Sequence, residues 1–331
     1  ARIAAKRFGA VHHEYYVTPA DVVAGIPMVA AHSDQPFGNS SALPAYLCAL
    51  RAREDGMGRL LAGDGGDELF GGNERYSKQS VFAHYGKVPH WLRALGDPLV
   101  VNSLADRLPL LRKAGSYVRQ ARIPLPDRLQ TYNLLNRIGA QTIFTPAMLS
   151  QVDSAAPLAQ QRQVWGWAEE ADTLDRNLAF DWRYTLAEND LVKVCSTAAL
   201  AGVEVAFPLL DDALLAFSMR LPTDYKLRGG QLRWFFKEAL RGFLPDEIIT
   251  KPKHGFGLPF GVWMKQHDGL KALASDSLRS LGTRGIVRPE FVNTLLEELT
   301  TAHAGYYGEM VWVLMMLEQW LRKHRPQTKV V

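Results

Sequence analysis

The segment RLLAGDGGDELFGGNERY, residues 59–76, constrains the fold of this 331-residue chain more than any other stretch. Leu60, Leu61 and Ala62 form a short apolar run that stops at Gly63-Asp64-Gly65-Gly66-Asp67-Glu68. Leu69-Phe70 then reads as an apolar helical start, followed by a second glycine pair, Gly71-Gly72. A buried strand that breaks into glycines and reopens as a helix brings backbone N–H groups to a phosphate chain in α/β proteins. Glycines at 63, 65 and 66 permit a tight turn and the close approach of a ligand. Asp64, Asp67 and Glu68 repel bare phosphate, so a phosphate site here requires a divalent cation between carboxylate and phosphate. Magnesium suits, because one or two carboxylates plus substrate phosphates usually hold it. A Walker loop is excluded, since no Gly-Lys-Ser/Thr follows. A calcium loop fails because Gly66 stands where a second oxygen ligand is required. The competing reading is an acidic surface turn that caps a helix.

The residues from Gly63 to Gly72 resemble the SGDGGDELFGG signature of the asparagine synthetases and their relatives, which are adenylating, pyrophosphate-releasing ATP enzymes. Ala62 stands at the family's serine and removes one hydroxyl from the nucleotide contact. Asp34, Pro36, Ser40 and Ser41 match the family's DEPFADSS, while Gln35 and Asn39 depart from it. Lys193, Glu204, Pro208, Leu210 and Asp211 match KVDRxSMxxSxEVRxPFLD, with residues 190–194 on a predicted helix and 202–205 leading into 208–211. Cys195-Ser196 replaces an Asp-Arg pair there, and Ala206 replaces a second arginine. Residues 251–259, KPKHGFGLP, resemble PKxGFxxP, with Lys253 at the lysine that relatives use to neutralise charge on the reacting acyl-phosphate.

The resemblance implies an α/β fold with a parallel sheet of adenine-nucleotide α-hydrolase (PP-loop ATPase) type, lacking its first strand and followed by a largely helical half. Residues 1–90 would be a partial ATP-pyrophosphatase part and 91–331 the helical part of the same synthetase domain. The implied activity is ATP-dependent amide formation. A carboxylate is adenylated with release of pyrophosphate, and ammonia drawn from glutamine by a glutaminase domain then displaces AMP. ATP and Mg2+ are the implied cofactors, with Asp64 and Asp67 on the metal. Ala62, Gly63, Asp64, Gly65, Gly66, Asp67 and Asp190 would line the nucleotide, and Lys253 and Glu204 would act in catalysis. No SGGxDS pyrophosphate loop occurs in the sequence and residue 1 is alanine, so the chain reads as an incomplete fragment, inactive alone. The lost arginines place aspartate in competition with another carboxylate, for instance one in a polysaccharide or peptide pathway, because a guanidinium is the natural clamp for an amino-acid carboxylate. An inactive or RNA-associated relative is the third reading. A homodimer is compatible with all three.

Composition adds bounds. Hydrophobic residues at 47% can fill a sizeable core, and 22% charged residues exclude a disordered chain. Cys48 and Cys195 form no metal pair, so a cytoplasmic setting is expected, and Cys195 reads as a small buried residue. Residues 310–321 are apolar but interrupted by Glu318 and too short to span a bilayer, so they read as a buried helix. Ten Lys/Arg against three Asp in 77–140 read as a solvated helical face, with nucleic acid not expected. Early in the chain, residues 1–8 read as a helix stopped by Gly9 and 11–17 as a strand carrying His12 and His13 on its surface. Thr18-Pro19 reads as a helix start, and Ser40 or Ser41 as another.

Overall fold

The computed structural model describes residues 1–102, 107–251, 255 and 257–330. Helix α1 (Arg2–Phe8) stops where Gly9 turns left-handed at φ 63° and donates its N–H to the Ala5 carbonyl. Helix α2 (Pro19–His32) begins with a reciprocal cap: Asp21 N–H donates to Thr18 Oγ1 at 3.3 Å, and Thr18 N–H donates to Asp21 Oδ2 at 2.8 Å. In α3 (Ala42–Glu54) Pro44 falls in the first turn, where its missing N–H has no partner to lose.

Strand β1 (Arg59–Leu61) pairs in parallel with β2 (Glu204–Ala206), Arg59 opposite Glu204 and Leu61 opposite Ala206. Residues between them form a long, mainly helical crossover, as parallel pairing requires. The fold is therefore mixed α/β and mostly helical with a small parallel sheet. Two expectations are corrected. Residues 11–17 form no strand, with Val11 85% and Tyr16 76% exposed, because among the described residues no strand lies alongside to take their backbone hydrogen bonds. Strand β1 is not buried, since Leu61 is 72% exposed: a two-stranded ribbon offers too little area to be covered on both faces.

The core sits at the other side of the chain, around the helix Ala304–His324. Its Met310, Val311, Trp312, Leu314, Met315 and Met316 pack with Val22 and Ile26 of α2 and with Leu270, Ala274 and Leu278 of the helix Asp268–Thr283. Among the described residues no helix is long and apolar enough to cross a membrane. Where Phe260–Gln266 crosses the long helix, Gly308 meets Gly261 backbone to backbone, and a Cβ on Gly308 would lie 2.4 Å from the Gly261 Cα. Glu318 is fully buried in this core and neutralised there. It accepts from Ser280 Oγ at 2.6 Å, Arg284 Nε at 2.8 Å and Arg322 Nε at 2.9 Å. Arg284 in turn donates Nη1 to the carbonyls of Pro326 and Thr328, which ties the segment after the helix to the core. Removing one member of such a pair leaves a buried charge uncompensated. Glu318→Ala is therefore expected to lower unfolding free energy by roughly 3–5 kcal/mol in urea titrations, with a surface substitution such as Glu297→Ala as control.

Candidate functional site

The two parallel strands deliver their following loops side by side. Helix α4 (Gly66–Phe70) follows β1, and Leu209 and Leu210 follow β2. Packing between them accounts for two of the glycines. Gly65 holds φ 93°, and a Cβ there would lie 2.2 Å from Leu210 Cδ2; one on Gly66 would lie 2.9 Å from Leu209 Cδ1. Among the described residues nothing lies within 4 Å of the missing Cβ of Gly63, which leaves room there for a ligand.

These loops bound a solvent-accessible cavity of about 270 Å³ lined by Gly63, Asp64, Gly65, Gly66, Asp67 and Glu68. Asp190, Leu209, Arg233 and Phe236 complete it. Six of the sequence-predicted residues thus meet in one place: Gly63, Asp64, Gly65, Gly66, Asp67 and Asp190. Ala62 stands just before it and continues the ladder, its N–H donating to the Ala206 carbonyl at 2.9 Å. Lys253 lies outside the described residues. Glu204 is not brought to the cavity. It occupies the first position of β2, is exposed, and pairs with Arg59 Nη2 at 2.6 Å. The cavity lies at the opposite end of the strands, roughly 10 Å of extended chain away. Glu204 is thus not among the described residues that line this cavity.

Asp190 ends a π-helical stretch, Trp182–Asp190, a wide turn that often marks a functional position. Its Oδ1 accepts from Lys193 Nζ at 2.7 Å. Burial raises the Asp64 carboxyl above its usual range, Lys193 pulls it back and Asp190 pushes it further up. Glu68, 7% exposed, is pushed up to about 7 by burial, with Asp67, Asp181 and Asp190 adding to the rise against a backbone hydrogen bond. Behind it Asp181 is buried, accepting from the Tyr76 hydroxyl at 2.5 Å and paired with Arg75 Nη2 at 2.7 Å. Burial also holds the Asp181 carboxyl above its ordinary value.

Arg233 was not among the residues expected at the site. It is the described non-glycine residue with a left-handed backbone, φ 54°, a conformation that persists only when its surroundings enforce it. The hairpin of β3 (Leu227–Arg228) and β4 (Gln231–Leu232) aims it, turning through Gly229 and Gly230 at φ 56° and 83°. Its N–H donates to the Gly71 carbonyl, and its Nη1 lies 3.3 Å from Asp67 Oδ1. Gly72 makes room for that pair, since a Cβ would fall 1.8 Å from Asp67 Oδ1. The Gly-Gly pair between Arg228 and Gln231 is a two-residue hairpin signal that could have placed Arg233.

Other expectations settle plainly. Cys195 is exposed, not buried; partial burial and the Asp64 charge raise its thiol, so it is no poised thiolate. Asp34 lines a separate small cavity with Lys193 and Ser196. Asn39 donates to Asn189 at 3.1 Å and so braces the Asp190 turn. His13 pairs with Asp55 and His12 with Glu14, with no third ligand among the described residues.

The family model for asparagine synthase matches residues 1–322. The chain belongs to the asparagine synthase family. It is 22% identical over 309 residues to the glutamine-hydrolyzing asparagine synthetase 1 of Bacillus subtilis, covering 92% of the chain and 46% of that protein. A protein of Mycobacterium tuberculosis named as a putative glutamine-hydrolyzing asparagine synthetase is 23% identical over 337 residues, 96% of the chain and 47% of its own length. A similarly named protein 2 of Methanocaldococcus jannaschii is 34% identical over 117 residues, 34% of the chain and 22% of that protein. This asparagine synthase family chain spans about half the length of the first two.

Glu68 gives the site a pH signature. Its carboxyl ionises at 4.5 when exposed and at about 7 when folded, so the folded state alone holds this proton between those values. Its contribution to stability is fully present below pH 4.5 and is lost as pH rises to 7, on the order of 3 kcal/mol. Glu68→Gln is expected to flatten that decline in denaturation curves taken from pH 5 to 8. Gly65→Ala, which strains the backbone and meets Leu210, should cost roughly 1–3 kcal/mol in the same assay.

Proposed function

We propose that the chain carries the ATP-using half of an amide-forming synthetase, in which a substrate carboxylate is adenylated and then attacked by ammonia. The observation that supports this most is the meeting of Asp64, Asp67 and Asp190 with the open Gly63 turn and Arg233 in one cavity. In this reading the small sheet is part of a PP-loop ATPase sheet, with 1–90 and 91–331 as its nucleotide and helical parts.

The donor set fits magnesium. No group of three or more His, Cys, Asp or Glu among the described residues would hold a metal alone, whereas two aspartates sharing the ion with substrate phosphates is the way magnesium is usually bound. Asp64 and Asp67 would hold it, and when bound it neutralises the phosphate charge that develops as pyrophosphate leaves. Gly63 admits the phosphate chain without a side-chain barrier. Arg233, at the rim beside Asp67, offers a guanidinium edge to the same phosphates. Burial pushes the Glu68 carboxyl up to about 7 and so resists a fourth negative charge beside Asp64, Asp67 and Asp190. Lys253 is assigned, by family resemblance, to the charge on the acyl-phosphate. The carboxylate is aspartate or an analogue, and ammonia would come from a glutaminase domain, as the names of the relatives imply.

Magnesium–ATP at about 100 times its Kd should raise unfolding free energy by about 2.7 kcal/mol. EDTA should remove the effect, and Asp64→Asn and Asp67→Asn should each abolish it. No magnesium-dependent stabilisation by ATP would overturn the reading. ATP–pyrophosphate exchange across a panel of carboxylates, run on the chain extended to carry an SGGxDS loop, then identifies the acid, with aspartate the expected partner.

A further inference from the structure

The basic surplus of residues 77–140 is not simply a solvated face. Arg93, Arg122 and Arg128 converge with Arg176 on a cavity of about 450 Å³ that shares no lining residue with the glycine-turn cavity. Three of these guanidinium groups lie over aromatic rings: Arg128 over Phe82 at 5.0 Å, Arg93 over Tyr85 at 5.3 Å and Arg176 over Trp165 at 4.6 Å. Stacking fixes the plane of a guanidinium and leaves its edge N–H groups free for an acceptor.

Among the described residues one carboxylate, that of Asp97, faces the cluster, and the charges of both Arg122 and Arg93 act on it. Arg122 pairs with Asp97 at 2.6 Å. Arg128, only 8% exposed, donates among the described residues to neutral acceptors: Gln79 Oε1 at 3.1 Å and the carbonyls of Ala121 and Ile123. Arg176 donates Nη2 to the Trp165 carbonyl, while its Nε and that of Arg93 are buried without a partner. Gln79, on the cavity wall and 2% exposed, also carries a buried Nε2 with no partner. Apart from Asp97, the described residues set no carboxylate against these four guanidinium groups, so the cavity carries a surplus of positive charge that an anion would balance.

We propose that this cavity binds the phosphate monoester group of a small molecule. A phosphate dianion offers several strong acceptor oxygens and close to two charges, which suits converging guanidinium edges better than a carboxylate does. The volume accommodates a small ligand whose carbon body packs on Trp165 and Tyr85.

Inorganic phosphate is the probe. In a titration at fixed ionic strength without magnesium, the Nε–H resonances of Arg93 and Arg176 should shift saturably with phosphate, and acetate or chloride should not reproduce the shift. Arg93→Gln and Arg176→Gln should each weaken phosphate binding by about tenfold, the loss of a charge-assisted hydrogen bond. Asp64→Asn should leave phosphate binding unchanged, so the result is independent of the magnesium–ATP reading. Absence of a saturable shift in the unaltered chain would overturn the proposal, and so would equal shifts with acetate. Weakening by Asp64→Asn, or undiminished binding in both arginine variants, would assign the phosphate elsewhere and likewise overturn it.

Discussion

The parallel pairing of Arg59–Leu61 with Glu204–Ala206 is the contact on which the candidate site depends. Each strand has three residues, yet their register places the glycine turn of one directly beside the Leu209-Leu210 turn of the other. The ladder extends by one bond at either end, Glu204 N–H to the Gly58 carbonyl and Ala62 N–H to the Ala206 carbonyl. Asp190 follows from the same pairing, because the helix Leu191–Ala201 runs from it into β2. So short a sheet cannot stand alone in water. Leu69 and Phe70, buried with Leu221 and stacked on Phe236, anchor the turn from its far side.

Electrostatics then sets what the cavity can accept. Asp64, Asp67, Glu68 and Asp190 crowd one wall, answered by Arg233 and Lys193. Burial and mutual repulsion resist full ionisation, and the upward shifts of Asp64 and Glu68 are that resistance. A divalent cation inverts this balance by favouring the charged carboxylates. The same acids that repel bare phosphate therefore suit phosphate that arrives with a metal.

Much of this was legible in the sequence where local chemistry decides the outcome. Gly9, the Thr18-Pro19-Asp21 cap, Pro44 in a first turn and the apolar run before Gly63 each specify their element within a few residues. The misreadings share a cause: they concern tertiary partners. Residues 11–17 have strand composition but no strand beside them, and Leu61 looks buried until the narrowness of the sheet is known. Glu204 matched a motif, yet the parallel register turns its end of the strand away from the cavity. Arg233 carries no sequence mark of its own; only the hairpin fold and the space over Gly72 bring it to Asp67. Gly65 and Gly66 line the cavity and also make room for Leu210 and Leu209, a packing demand that local sequence does not show.

The central claim is that Asp64 and Asp67 share one metal with the phosphates of a nucleotide resting on Gly63. A crystal structure of the chain with manganese and a non-hydrolysable ATP analogue tests it most directly. The account predicts an anomalous peak about 2.1 Å from an oxygen of each aspartate, the distance of a small hard cation, with the phosphates over the glycine turn. A metal peak away from both carboxylates, or a nucleotide seated outside this cavity, would contradict it.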